Sequence, residues 1–341
     1  MLANRSPKIS GPRAGFTLIE LLVVIALIGI LAGLLVPAVV GRGMRRVRLA
    51  SVRMEISQLE SAIARFRGNY NMDPPSSITL YENPANNNGW TSVSPSTLAI
   101  ESRALIRQLW PQFNFATIRD INGNGNPDDL PITLSQGECM VFFLGGINGN
   151  TVPDPNAVPP VVLTSTSDNN NPDKHIGACT GFSKNPADPF ARGGNREAPL
   201  FEFLLARFSD VDADGFPEYF DPLPNQTMPY LYYSSYDGQG YRDTVAPFEF
   251  DTTASGSAGL SAAYRQGKAA TAPRWKANSF QIISPGYDRQ YGYGGTYLAT
   301  GSDGLPLPLC DAIGSTPAPT QKQRDYESDN ITNFSQGELQ P

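Results

Sequence analysis

Leu21 to Val40 form twenty consecutive positions without a charge or a hydrogen-bonding side chain. A bilayer core of about 30 Å needs roughly 20 apolar residues at about 1.5 Å of rise each, so this run predicts a membrane-spanning helix. Beyond it the pattern becomes one-sided. Val52, Ile56, Leu59, Ile63, Phe66 and Tyr70 recur at alternating steps of four and three, which is one face of an amphipathic helix reaching to about Gly68. That face must dock on a globular domain. The opposite face carries Arg45, Arg46, Arg48, Arg53, Glu55, Arg65 and Arg67, with Glu60 among them, and Asp73-Pro74-Pro75 ends any helix.

From residue 71 onward the apolar runs are short and bounded by turn residues, and most of the 30 prolines and 32 glycines lie there. This pattern predicts strands at Glu138–Leu144, Val158–Thr164, Tyr230–Tyr236 and Ser279–Ser284, and helices at Ser102–Trp110 and Pro199–Phe208. Asn83–Gly89 and Ser165–Pro172 read as exposed loops. The fold class is therefore α+β: a long amino-terminal transmembrane and amphipathic helix packed on a strand-based domain with long loops.

Ahead of the apolar run stand fifteen residues whose charges are Arg5, Lys8 and Arg13, with no acid, as in a targeting leader. An ordinary secretory signal is cut after its hydrophobic stretch, at small residues. Here the small residue, Gly15, precedes it. The run Gly15-Phe16-Thr17-Leu18-Ile19-Glu20-Leu21 resembles the processing motif of type IV prepilins and of the pseudopilins of type II secretion systems, and the likeness extends through the helix.

The resemblance implies a pilin-like fold and cleavage between Gly15 and Phe16 by a prepilin peptidase, which also methylates the new amino group of Phe16. It divides the chain into a leader (1–15), a transmembrane half-helix (16–40), an amphipathic half-helix (41–70) and an exported domain (71–341). Implied partners are like subunits in a homo- or hetero-filament, the membrane, and an inner-membrane assembly platform with a separate ATPase. Pro37 falls where pilin helices commonly carry a proline. The family topology puts the leader in the cytoplasm and the domain outside. Charge points the other way, since Arg42, Arg45, Arg46, Arg48 and Arg53 outnumber the leader's three cations.

Glu20 gives an independent reason to expect assembly. A carboxylate in hydrocarbon costs roughly 2.5 to 3.5 kcal/mol on insertion scales unless it is paired. The amine created at Phe16 of a neighbouring subunit would neutralise it and set the axial step between helices. In the other reading, Glu20 snorkels to the headgroups at the positive end of the helix dipole. Gly29 and Gly33 form a small-xxx-small pair that lets helices approach closely, and Pro37 removes a backbone bond, loosening the helix.

Residues 1–68 carry a net charge of +7 and the remainder −13. An acidic exported domain argues against nucleic acid as a partner, because phosphate needs basic surface. Calcium is the cofactor suggested instead. Asp210, Asp212 and Asp214 alternate before Gly215, with Glu218 and Asp221 following, close to an oxygen-rich loop for a hard cation. Pro217 and the Asp at 221 depart from a helix-loop-helix hand. Asp120, Asn122 and Asn124 repeat the theme more weakly, and Asn148-Gly149-Asn150 reads as a turn. By resemblance to the calcium-binding end of major pseudopilins, Ser284-Pro285-Gly286-Tyr287-Asp288 and the later Asp329 close over an ion, with Asp288 and Asp329 as ligands.

Cys139, Cys179 and Cys310 are an odd set. Cys139 with Cys179 is the preferred disulfide, because Cys179 lies in a Gly-rich loop and Cys139 opens an apolar strand; three buried thiols are the alternative. His175 is the only histidine and no phosphate loop or H-E-x-x-H motif occurs, so no enzymatic activity is expected. Tyr230, Tyr232, Tyr233, Tyr236 and Tyr241 line a sugar or adhesion surface, or cover a half-buried sheet. The reading is a filament subunit, most simply a type II secretion pseudopilin. A type IV pilus subunit for adhesion, motility or DNA uptake, or an anchored calcium-dependent binding protein that never polymerises, are the alternatives.

Overall fold

The computed structural model describes residues 17–123, 127, 130–148, 177–210, 214–241, 263–267, 271–292, 294–298, 307 and 325–339, without the side chains of residues 32 and 34–43 in the first helix. The chain divides into two compact units, Met1–Leu49 and Ala50–Pro341.

Helix α1 is one element of 53 residues, Leu18–Tyr70, whose backbone runs through Pro37. It ends two residues beyond the predicted Gly68, where Asn71 turns left-handed at φ 56° and its N–H bonds the carbonyl of Arg67 at 2.8 Å. A left-handed Asn just past the last helical residue satisfies the carbonyls that no further turn reaches. In the second unit, Val52, Ile56, Leu59, Ile63 and Phe66 of this helix are buried. The stripe read from the spacing is thus the one that enters the core.

The strands form small antiparallel sheets. β1 (Ile78–Leu80) pairs β2 (Ile132–Leu134), placing Thr79 opposite Thr133 with their hydroxyls 3.0 Å apart. β3 (Phe208–Ser209) pairs β4 (Glu218–Tyr219). β5 (Leu231–Ser234), β6 (Phe280–Ser284) and β7 (Ile331–Thr332) make a three-stranded sheet in that order. β5 and β6 fall inside the predicted strands, and α2 (Thr97–Leu109) overlaps the predicted helix but starts five residues earlier, at the N-cap Ser96, whose hydroxyl accepts from the N–H of Ala99.

Two predicted elements change type. Glu138–Leu144 belongs to a helix, α3 (Gln136–Gly145), rather than a strand. Ser135 and Glu138 form a reciprocal capping box, and every residue of the helix is buried. A helix apolar all round shows no 3.6-residue period, so its sequence looks like that of a buried strand. Pro199–Phe208 is not a helix but an extended segment containing a short 3₁₀ turn at Leu205–Arg207. The backbone N–H groups of Leu200 and Phe201 both donate to the carbonyl of Leu144 at the end of α3, and Phe203 and Phe208 pack on Tyr219. Of the predicted exposed loop Asn83–Gly89, Ala85 to Asn88 are exposed, whereas Pro84 and Gly89 are buried and Asn83 half-buried; Val158–Thr164 and Ser165–Pro172 lie outside the described residues.

Among the polar bonds that tie α1 to the head, those at Glu55 form the densest cluster, beside the bonds of Arg67 to Asp237 and of Asn333 to Glu60. Glu55 accepts two bonds from Arg207, Nη1 to Oε1 at 2.9 Å and Nη2 to Oε2 at 2.6 Å, and one each from the hydroxyls of Tyr219 at 3.3 Å and Tyr230 at 2.9 Å. Burial lowers the Arg207 pKa, and Glu55 beside it more than reverses this, so the net shift is upward. The guanidinium also lies 4.2 Å from the centroid of the Tyr219 ring. The pair is partly buried, its side chains 19% and 12% exposed, so removing one member leaves the other charge short of its partner at a cost of about 1–3 kcal/mol, below that of a fully buried pair. Arg207→Met is expected to lower stability by about that amount at neutral pH. Urea denaturation checks this, and an unchanged midpoint would refute it.

Candidate assembly site and cation-binding loops

Three turns that are separate in sequence meet in the structure. The Asn122 side-chain amide donates to the carbonyl of Asp214 at 3.1 Å, and that of Asn148 to the carbonyl of Gly215 at 3.2 Å. Glu82 fixes the first turn by accepting the N–H groups of Ile121 and Asn122 at 2.6 and 2.9 Å through Oε1. Arg192 ties the first turn to Asn148, donating to the carbonyls of Asp120, Ile121 and Asn148 at 3.2, 2.8 and 3.1 Å. Burial lowers the Arg192 pKa, with Asp120 and Glu82 opposing the shift.

Within the acidic loop, Asp210 accepts the N–H of Gly215 at 3.1 Å and Asp214 that of Phe216 at 2.8 Å. These are turn-forming bonds of the kind Asp favours. Glu218 lies on β4 with its Cγ against Gly137, and is buried. Asp212 and Asn124 lie outside the described residues. Asp221 does not join this loop, which corrects the five-acid reading. Its Oδ2 accepts from Ser284 at 2.5 Å and from Gln226 at 2.9 Å, and its Oδ1 takes the N–H of Leu223. Burial raises its pKa against the pull of these donors. Among the described residues no group of three or more Asp, Glu, His or Cys converges as a metal set.

The third candidate brings two carboxylates together. Asp329 Oδ2 accepts the N–H groups of Tyr287 and Asp288 at 2.6 and 3.1 Å. Gly286, at φ 71°, packs so closely on Asp329 that a Cβ there would lie 2.5 Å from its carbonyl oxygen. Burial and the charge of Asp329 push Asp288 up to about 7. A divalent cation would relieve that repulsion, so these residues fit the ion that the resemblance implies. The Ser284 hydroxyl is already given to Asp221.

Cys139 and Cys179 are not joined in a disulfide, which corrects the predicted pairing. Cys139 sits inside α3 with its Sγ on the carbonyl of Leu134 at 3.7 Å, whereas Cys179 points at Asn148 Oδ1 at 3.4 Å, its pKa pushed up to about 12 by burial. The expectation placed Cys139 on a strand, and its helical setting turns it elsewhere. Cys310 lies outside the described residues. Tyr230, Tyr232, Tyr233 and Tyr236 are buried and Tyr241 partly so, which makes them core rather than an adhesive surface.

In the first unit, Glu20 stands in the opening turn of α1. Its Oε2 accepts from both the N–H and the hydroxyl of Thr17, each at 2.8 Å, while the Thr17 hydroxyl accepts the N–H of Glu20 at 3.3 Å. This is a capping box, in which each side chain serves the other's backbone. Thr17 was not singled out from the sequence, although a Thr three residues before a Glu at the head of an apolar run carries that signal. Gly15 and Phe16 lie outside the described residues.

Leu18 and Ile19 are 82% and 70% exposed, and the large apolar side chains from Leu21 to Leu31 are exposed on every side. A Cβ added at Gly29 or Gly33 would meet nothing within 4 Å. Among the described residues no helix is long and apolar enough to cross a membrane. The run Leu21–Val40 includes residues 32 and 34–40, whose side chains are outside the description.

The family model for the prokaryotic N-terminal methylation motif matches residues 11–36. This is the class III signal peptide of type IV prepilin-like proteins. The pilin-like motif spans the end of the leader, the capping box and most of the apolar run, and in general implies processing by a prepilin peptidase and assembly into filaments. No curated protein and no solved structure matches the chain significantly.

The Ser284 hydroxyl donates to Asp221 Oδ2 at 2.5 Å. Ser284→Ala is therefore expected to cost about 1–3 kcal/mol, the penalty for leaving a buried acceptor short of a donor, by the same amount with and without calcium. Paired thermal melts check this; a loss seen only with calcium would make Ser284 a ligand.

Proposed function

We propose that the chain is a pseudopilin of a type II secretion system, a non-enzymatic subunit of a short periplasmic fibre. The observation that carries this is the methylation motif at residues 11–36, with Glu20 in the first helical turn. After cleavage, Phe16 of one subunit supplies an ammonium group to Glu20 of the next, so each anchor joins its neighbour at a fixed axial step. A carboxylate has two oxygens, so the bonds from Thr17 to Oε2 are compatible with that pairing. The subunit spans the inner membrane once, with its acidic head outside, and a separate ATPase supplies the energy.

A type IV pilus subunit shares this whole amino-terminal argument. The size of the head, about 270 residues beyond the helix, suits a scaffold or piston with large outward surfaces in either setting. Asp288 and Asp329 are the residues that would hold calcium. The ion would neutralise two facing carboxylates and tie the turn after β6 to the segment before β7.

Mass spectrometry of the protein from native membranes is expected to find a methylated Phe16 at the amino terminus, and Glu20→Ala is expected to insert normally yet leave no crosslinked oligomers. An intact Met1, or undiminished crosslinking, would refute the reading. Calcium is expected to raise the melting temperature of the native chain and to leave that of Asp288→Asn or Asp329→Asn unmoved, since each variant loses one of two ligands. An equal rise in all three would place the ion elsewhere.

A further inference from the structure

Between Glu20 and Glu55 the chain has no acid, but it has Arg42, Arg45, Arg46, Arg48 and Arg53. Met44 to Arg48 are all exposed on α1. The positive-inside rule counts such arginines towards the cytoplasmic side, so an exported position works against their charge unless something there binds them. We infer that Arg45, Arg46 and Arg48 form a collar that binds the phosphates of anionic lipids at the outer face of the membrane from which the apolar run emerges. The inference rests on the membrane-anchored reading above.

Distance along the helix selects this occupant. At about 1.5 Å per residue, Arg45 lies about 7.5 Å and Arg48 about 12 Å beyond Val40. The headgroup layer is about 5–8 Å deep on each side of the hydrocarbon, so Arg45 and Arg46 lie at its outer edge. Arg48 lies within one Debye length, about 8 Å, of that edge at physiological ionic strength. At 3.6 residues per turn the three guanidinium stems fan over nearly half the circumference of the helix. A headgroup layer surrounds an emerging helix and meets all of them, whereas a second copy's acidic head would approach from one side. Arginine suits the task, because its planar fork matches phosphate in two-point contact.

The collar gives the subunit a second hold on the bilayer, separate from the apolar run. Extraction into a fibre then breaks arginine–phosphate contacts as well as moving the helix.

The test uses the mature full-length chain inserted in donor vesicles of phosphatidylcholine, alone or mixed with phosphatidylglycerol, and follows its transfer to excess neutral acceptor vesicles. Transfer from anionic donors is expected to be slower on the order of a hundredfold at low salt, at roughly fivefold per arginine. Arg45→Gln/Arg46→Gln/Arg48→Gln and high salt are each expected to abolish the difference, while insertion persists. Equal transfer of the native chain from both donors would overturn the collar and leave the anchor intact, as would a lipid preference that survives in the triple variant. Loss of self-association in the variant without any lipid effect would assign these arginines to a second copy. Failure to insert in either vesicle would instead defeat the anchored reading itself.

Discussion

The head depends on a single carboxylate receiving four hydrogen bonds. Glu55 projects from the polar edge of the α1 stripe, and Arg207, Tyr219 and Tyr230 reach it from the β3–β5 region, which lies more than 150 residues later in the chain. An apolar stripe alone lets a helix slide or rotate over a core with little change in buried area. Four directional bonds to one carboxylate fix its register, and the charge makes any slip costly, because an unpaired buried ion loses solvation with nothing in return. The apolar contacts of Val52, Ile56, Leu59, Ile63 and Phe66 then supply adhesion along a line already set.

The same logic organises the loops. A head built from two- and three-stranded sheets leaves much of its backbone outside any ladder, and those groups still need partners. Charged side chains provide them: Glu82, which is buried, takes two backbone N–H groups, and Arg192 serves three carbonyls across two turns. Asp221 holds the turn after β4 to the end of β6 through Ser284. Acidic turn sequences that look alike on paper therefore fasten different loops, Asp210 and Asp214 their own turn and Asp329 the turn at Tyr287 and Asp288.

At the amino terminus one acid sets where the first helix begins. Bonding to Thr17 starts the helix at a defined residue, and this places the carboxylate on the first turn. Among the described residues of the first unit, the apolar side chains along the following turns are exposed. Such a surface is stable in lipid or against other helices and not in water.

Sequence alone determined the amino-terminal part of this protein, because its signals are local. The uncharged run, the residues from Gly15 to Glu20 and the stripe from Val52 to Tyr70 each depend on spacing within a single helix, and the stripe reappears in the structure nearly residue for residue. The strands at Leu231–Ser234 and Phe280–Ser284 were legible for the same reason, as short runs rich in aromatic and β-branched residues. Only the tertiary structure decided that Glu138–Leu144 is helical, that Asp221 belongs with Ser284 rather than Asp210, and that Cys139 and Cys179 face different partners. A fully buried segment loses the polar-apolar alternation that marks its period, and the partner of a buried polar group is chosen by whichever distant segment the fold brings beside it.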